Sequence, residues 1–129
     1  MSGNLVDTNA AIFAVTKPEK LTLPARRAIL RGPNTVSVVS LWEVILKSMK
    51  GTLDVGDPMR WWRDAVHELD ATILPLQQEH VAGLLRLPAH HKDPFDRIVI
   101  AQATAEGLSL VTSDRAIARY SSSDLKIIW

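Results

Sequence analysis

The sequence predicts an α/β sandwich of three layers, a mainly parallel central sheet flanked by helices, and three observations carry that expectation. Short apolar, β-branched runs alternate with longer helical stretches along the 129 residues, the pattern of successive strand–helix units. Proline and glycine mark most changes of pattern. Acidic residues recur where strands are expected to end, and in an open parallel sheet those ends converge on one crevice.

Taken in order, Asn4-Leu5-Val6 reads as a short strand running into Asp7-Thr8-Asn9. Ala10 to Val15 is helical until Lys17-Pro18 breaks it. Pro24 to Arg31 forms a second helix, stopped by Gly32-Pro33. Thr35 to Val39 is β-branched and strand-like, and Leu41 to Lys50 is a helix ending at Gly51. Pro58, suited to a first helical turn, opens a helix to Leu69. A brief strand, Ala71 to Leu74, precedes a helix from Gln78 to Leu87 that Pro88 stops. Pro94 to Glu106 is a long apolar helix closed by Gly107. Leu108 to Thr112 is a strand, Arg115 to Tyr120 a short helix, and Leu125 to Trp129 a final strand. No repeat, low-complexity tract or linker divides the chain, so residues 1–129 are expected to form one domain.

Composition narrows the function classes. With 47 % hydrophobic and 22 % charged residues, the chain has the balance of an ordinary globular protein. The absence of cysteine removes disulfides, zinc-thiolate sites and thiol nucleophiles. No run approaches the roughly 18 apolar residues of a membrane span. Strand-like sequence begins almost at Met1, which leaves no room for a signal peptide. A cytoplasmic location without membrane association is therefore expected. The net charge of +1 is far from the basic excess of a dedicated duplex binder, so nucleic-acid contact would depend on local clusters and bound cations.

Four acids then stand out. Asp7 follows Leu5-Val6, and Glu43 follows Val36-Ser37-Val38-Val39. Asp96 lies in His91-Lys92-Asp93-Pro94-Phe95-Asp96-Arg97, and Asp114 follows Leu110-Val111-Thr112-Ser113. Carboxylates crowded into one crevice repel unless their pKa values rise or a cation binds among them. Divalent-metal binding and phosphodiester chemistry follow as the expectation. Each acid also has a plainer role open to it. Asp7 and Asp114 suit helix caps or turns. Ser40-Leu41-Trp42-Glu43 fits a capping box, and Glu43 precedes Lys47 by four as a favourable surface pair. Asp93-Pro94 is a natural cap and first turn, whereas Asp96 shares a helix stripe with Val99, Ile100 and Ala103. A carboxylate on an apolar stripe is costly unless paired or metal-bound, which makes Asp96 the functional acid and Asp93 the cap.

Leu5-Val6-Asp7-Thr8-Asn9, Ser40-Leu41-Trp42-Glu43, the Asp-Pro-Phe-Asp-Arg stretch and Val111-Thr112-Ser113-Asp114 together resemble the PIN domain. The resemblance is specifically to the VapC-type toxins of bacterial and archaeal toxin–antitoxin pairs. It spans essentially the whole chain and implies a PIN-like sandwich with catalytic, metal-binding acids at Asp7, Glu43, Asp96 and Asp114. It further implies Mg²⁺ or Mn²⁺, RNA as substrate, a homodimer and a cognate VapB-type antitoxin. The family's small polar position before the last acid falls on Thr112 or Ser113. Asn9 and Thr8 are placed to orient or supplement a ligand.

An all-acid set fits hard divalent cations. Lys92, Arg97 and Arg115 flank the acids and are candidates for substrate phosphate, against the plain alternative of solvated surface charge. His90 and His91 stay outside the catalytic set. Met59, Trp62, Val66 and Leu69 form one helix stripe that marks Trp62 as core. Trp61 points about 100° away, toward either partial burial or a dimer or antitoxin interface. Trp42, beside Glu43, is placed to line the cleft. The competing function is a catalytically weak PIN-like module that binds RNA or protein. A dehalogenase-like phosphatase would want an acid where Asn9 stands, and a phosphoacceptor receiver would want a lysine after a late strand, where Thr112-Ser113-Asp114 supplies none.

Overall fold

The computed structural model describes residues 3–129. Five strands form one sheet in the order β3-β2-β1-β4-β5, every pairing parallel. They are β1 (Asn4–Val6), β2 (Asn34–Ser37), β3 (Ala71–Leu74), β4 (Ser109–Val111) and β5 (Ile127–Ile128). The α-helices are α1 (Thr8–Thr16), α2 (Leu23–Arg31), α3 (Val38–Met49), α4 (Pro58–Glu68), α5 (Gln78–Ala82), α6 (Pro94–Glu106) and α7 (Arg115–Ala118). The expected Gln78–Leu87 helix divides, with α5 followed by a 3₁₀ turn at Gly83–Arg86. At Gly107 the expected stop is realised by a left-handed residue, φ 67°, which glycine adopts without steric cost.

Sheet and helices share two apolar clusters. Leu5 and Leu110 point to one face and Val6 and Val111 to the other, the alternation a pleated strand imposes. Val6, Val36 and Val111 pack with alanines of α1 and α2 and with Trp61, Trp62 and Ala65 of α4. Leu5 and Leu110 pack with Val99, Ile100 and Ala103 of α6 and with Ile117 of α7. The small residues Ala10, Ala11, Ala14, Ala25 and Ala28 let α1 and α2 lie close to the sheet. Both Trp61 (2 % exposed) and Trp62 (6 %) are core residues, their rings 6.1 Å apart. This corrects the interface alternative for Trp61: α4 packs against both α1 and α3, so two sides of the helix are covered, not one stripe. Met59, expected on that stripe, is instead exposed.

The strand order places β1 at the centre, with the chain moving outward through β2 and β3 on one side and β4 and β5 on the other. The reversal between β1 and β4 is a topological switch point, where connections diverge and leave a crevice beyond the strand ends. No helix among the described residues is long and apolar enough to cross a membrane.

Candidate metal centre

Asp7 is the first residue after β1 and caps α1, its Oδ1 accepting from Ala10 N at 2.9 Å. The capping role is therefore real, yet only 5 % of the residue is exposed. Burial, reinforced by the negative charges of Asp96 and Glu43, pushes its carboxyl from 3.8 up to about 7. Hydrogen bonds from the Thr112 hydroxyl and Ala10 N oppose that rise without cancelling it. Two buried hydroxyls fasten the first turns of α1 and α3 together, Thr8 Oγ1 donating to Ser40 Oγ at 2.8 Å. Asn9 is exposed.

Glu43 is reached differently from the sequence expectation. The run Thr35–Val39 is strand only to Ser37, whose Oγ accepts from Val39 N at 3.0 Å and caps α3. Val38 and Val39 are helical, because a serine able to cap precedes them and outweighs their β-branching. Ser40 is thus inside the helix, and the capping-box explanation of Glu43 fails. Glu43 sits in the second turn, 5 % exposed, with Lys47 Nζ at 2.7 Å. The expected pair at a spacing of four forms, but the Glu43 carboxylate is buried and not a surface partner. Its hydrogen bond holds the Lys47 ammonium above the usual lysine value.

Asp96 occupies the third position of α6. Asp93 caps that helix, its Oδ1 accepting from Phe95 N at 2.9 Å and Asp96 N at 3.2 Å. Burial, then the Asp93 charge, raises Asp96 from 3.8 to about 6. A hydrogen bond from His91 lowers it and the Glu43 charge raises it further. Asp114 caps α7 through Ala116 N at 2.8 Å. Thr112, buried, accepts from Asp114 N at 3.1 Å while also bonding Asp7, so it links two acids. Of the two small polar candidates, Thr112 makes this bridge; Ser113 is half-buried beside it.

Two ligand groups result. Ligand atoms of His91, Asp96 and Asp114 lie within 4.8 Å of one another, as do those of Glu43, Asp93 and Asp96. Asp96 belongs to both. Asp7 lies outside these two trios, although its charge is coupled to Asp96 and Glu43. The donors are overwhelmingly carboxylate oxygens, which suits Mg²⁺ or Mn²⁺. Two carboxyls held well above their ordinary values are what a cation would relieve.

His91 and Asp93 were missed as site residues by sequence reasoning. His91 Nδ1 accepts from Lys92 N at 3.2 Å, which leaves Nε2–H to donate to Asp96 Oδ2 at 2.7 Å, with Asp114 Oδ2 at 3.5 Å. The usable signal was position: a histidine two residues before a helix cap folds back over the first turn. Asp93 was assigned to capping alone, whereas one oxygen caps and the carboxylate still neighbours Glu43 and Asp96. Arg97 departs from its expected phosphate role. Its Nη1 donates to the carbonyls of Pro88 (3.0 Å) and His91 (3.3 Å) and to Tyr120 Oη (3.3 Å), which commits it to the loop carrying His91. Lys92 and Arg115 are exposed beside His91 and Asp114.

Fold and site together define a doubly wound α/β protein with an acidic cleft at its switch point. The chain belongs to the PIN domain family, which matches residues 5–122. It is 24 % identical to Ribonuclease VapC22 of Mycobacterium tuberculosis over the whole of both chains. In structure it resembles a chain of the DNA-bound VapBC complex of Salmonella typhimurium, with a TM-score of 0.70, 19 % identity, and 98 % and 97 % of the two chains covered. VapBC2 of Rickettsia felis, bound to a fragment of its promoter, gives 0.68 at 15 % identity, with the same shares covered. At such identities these structures establish the fold.

Proposed function

We propose that this protein, as a single PIN domain over residues 1–129, is a metal-dependent endoribonuclease that acts as the toxin of a toxin–antitoxin pair. One observation supports the reading most: Asp96 is shared between two ligand groups, one with Glu43 and Asp93 and one with His91 and Asp114, and the buried Asp7 carboxyl feels the charges of Asp96 and Glu43. The similarity to a named VapC ribonuclease and to VapBC complexes supports the same reading. It also supports a VapB-type antitoxin as partner; a homodimer as the acting form and the cytoplasm as its place of action are part of the same proposal.

Asp7, Glu43, Asp96 and Asp114 would hold Mg²⁺ or Mn²⁺, with Asp93 and His91 available at the margins. When bound, the cation supplies positive charge that keeps the acids ionised, orients the scissile phosphate and activates water for attack. The chain's own residues do the rest. Thr112 fixes Asp7 and the Asp114 turn, and Asn9 and Ser113 border these acids. Lys47 balances Glu43. Exposed Lys92 and Arg115 offset phosphate charge on the approaching RNA, and Arg97 contributes by holding the His91 loop.

Purified protein is expected to cleave RNA with Mg²⁺ or Mn²⁺ and to stop when chelator is added or Asp96→Asn is introduced. Cleavage that continues in metal-free buffer would overturn the mechanism. Growth arrest on expression of the native chain but not of Asp7→Ala tests the toxin role, and equal growth would point to a binding module.

A further inference from the structure

We propose that Trp42, braced by Phe95, is a stacking platform for an unpaired nucleobase of the RNA beside the cleavage site; the proposal rests on the nuclease reading above. Among the chain's seven Phe, Trp and Tyr residues, Trp42 alone is exposed, at 55 %. Trp61, Trp62 and Tyr120 are buried, and Phe13, Phe95 and Trp129 are half-buried. An indole left in water forgoes the burial that places the other aromatics inside.

Its position gives that exposure a use. Trp42 directly precedes Glu43 on α3, and Phe95 directly precedes Asp96 on α6. The helices that bring the two acids together therefore bring the two rings together, centroids 4.9 Å apart and planes at 83°. This edge-to-face contact braces the indole against α6. Phe95 is anchored in turn against the cluster of Leu5, Val39 and Val99. The result is an aromatic surface carried by the two helices that also carry Glu43 and Asp96.

RNA needs such a surface here. The net charge of +1 gives little general attraction for phosphate, and the cleft itself is acidic. Stacking is indifferent to net charge and tolerant of base identity, since every base has a π-face. It also favours unpaired over duplex RNA, whose bases are already stacked. A protein occupant of the exposed α3 face, which also carries Val38 and Met49, is the competing outcome.

The test uses the full chain and a fluorescein-labelled pool of random 20-nucleotide single-stranded RNA. Anisotropy reads binding and single-turnover cleavage with Mn²⁺ reads function, while circular dichroism and gel filtration report fold and oligomeric state. Trp42→Ala and Trp42→Leu are each expected to raise the half-saturating concentration by about 5- to 100-fold. The maximal rate should stay within a few-fold, and Trp42→Phe should remain near the native value. Leucine keeps apolar bulk but has no π-face, so a leucine variant that binds normally overturns the proposal. Loss of binding in parallel with a smaller oligomer overturns it too, in favour of a protein interface. Native protein that binds but never cleaves would instead refute the nuclease reading, and the anisotropy comparison would still decide the platform.

Discussion

The two edges of this sheet bury polar residues in opposite electrostatic conditions. At the amino-terminal edge, Asn4 Nδ2 donates to Ala28 O at 2.7 Å and to Asn34 Oδ1 at 3.0 Å. Asn34 Nδ2 in turn donates to Ile29 O at 2.8 Å and Leu69 O at 2.9 Å. Neutral amides thus stitch β1 and β2 to the ends of α2 and α4, and both of their Nδ2 groups are met by fixed partners. At the carboxyl-terminal edge, five acids meet one lysine and one histidine, and two of the acids sit far above their ordinary pKa. The first arrangement finds its partners within the chain. The second keeps excess negative charge that a proton or a bound cation would relieve, and that asymmetry distinguishes the two polar clusters.

Substitution should therefore act in opposite directions at the two edges. Asp7→Asn keeps an oxygen for the Ala10 cap but removes a buried charge. We expect RNA cleavage to fall at least by the roughly 10- to 100-fold that loss of a group supporting a metal ligand costs, while the metal-free protein at pH 8 melts higher than the native chain. Asn34→Ala should do the reverse. It strands the Ile29 and Leu69 carbonyls, costing about 3 kcal/mol in urea denaturation, while the remaining folded protein cleaves at a near-native rate. Equal stability losses at both edges would dissolve the comparison.

Metal and pH sharpen it further. Because Asp7 and Asp96 are raised in the folded state, to about 7 and about 6, that state binds more protons than the unfolded chain between pH 4 and 7. Stability of the metal-free protein should consequently fall as pH rises through that window. The fall should be absent in the Asp7→Asn, Asp96→Asn double variant. Adding Mg²⁺ or Mn²⁺ at pH 7.5 to about 100 times its Kd should return about 2.7 kcal/mol, read as a rise in melting temperature. A metal-free protein that gains stability from pH 4 to 7 would contradict the assignment.

The same contrast explains how much of the molecule was legible in the sequence. Strand and helix order follows from β-branched runs, alanine-rich stretches and Gly or Pro stops, all local signals. Asp7 and Asp114 were visible as residues placed after strands. Glu43 lies in the second turn of α3 and Asp96 in the first turn of α6, well beyond β3, so the expected strand-exit position holds for two of the four acids. What stayed hidden depended on cooperation across distance. Whether Val38-Val39 is strand or helix turned on Ser37 capping first, and that choice moved Glu43 from a cap to a buried second-turn acid. His91 joins the site only because Arg97 and Tyr120 hold its loop, His91 N donating to Tyr120 Oη at 2.9 Å across 29 positions. The burial of Trp61 required knowing that α1 and α3 both pack on α4.

The smallest expected effect distinguishes the cations around the acidic edge. Lys92 and Arg115 are exposed and free to meet phosphate, whereas Arg97 is bonded to Pro88, His91 and Tyr120. Lys92→Gln and Arg115→Gln should each weaken binding a few-fold and reduce the dependence of log K on log salt by about 0.7, the value for one single-strand phosphate contact. Arg97→Gln should leave that slope unchanged, because its guanidinium is committed to Pro88, His91 and Tyr120. Its cost should appear in the His91 loop, as faster amide exchange at His91 and Lys92 and a loss of about 1 kcal/mol of stability. A reduced salt slope for Arg97→Gln with unchanged exchange would return Arg97 to the phosphate-binding group.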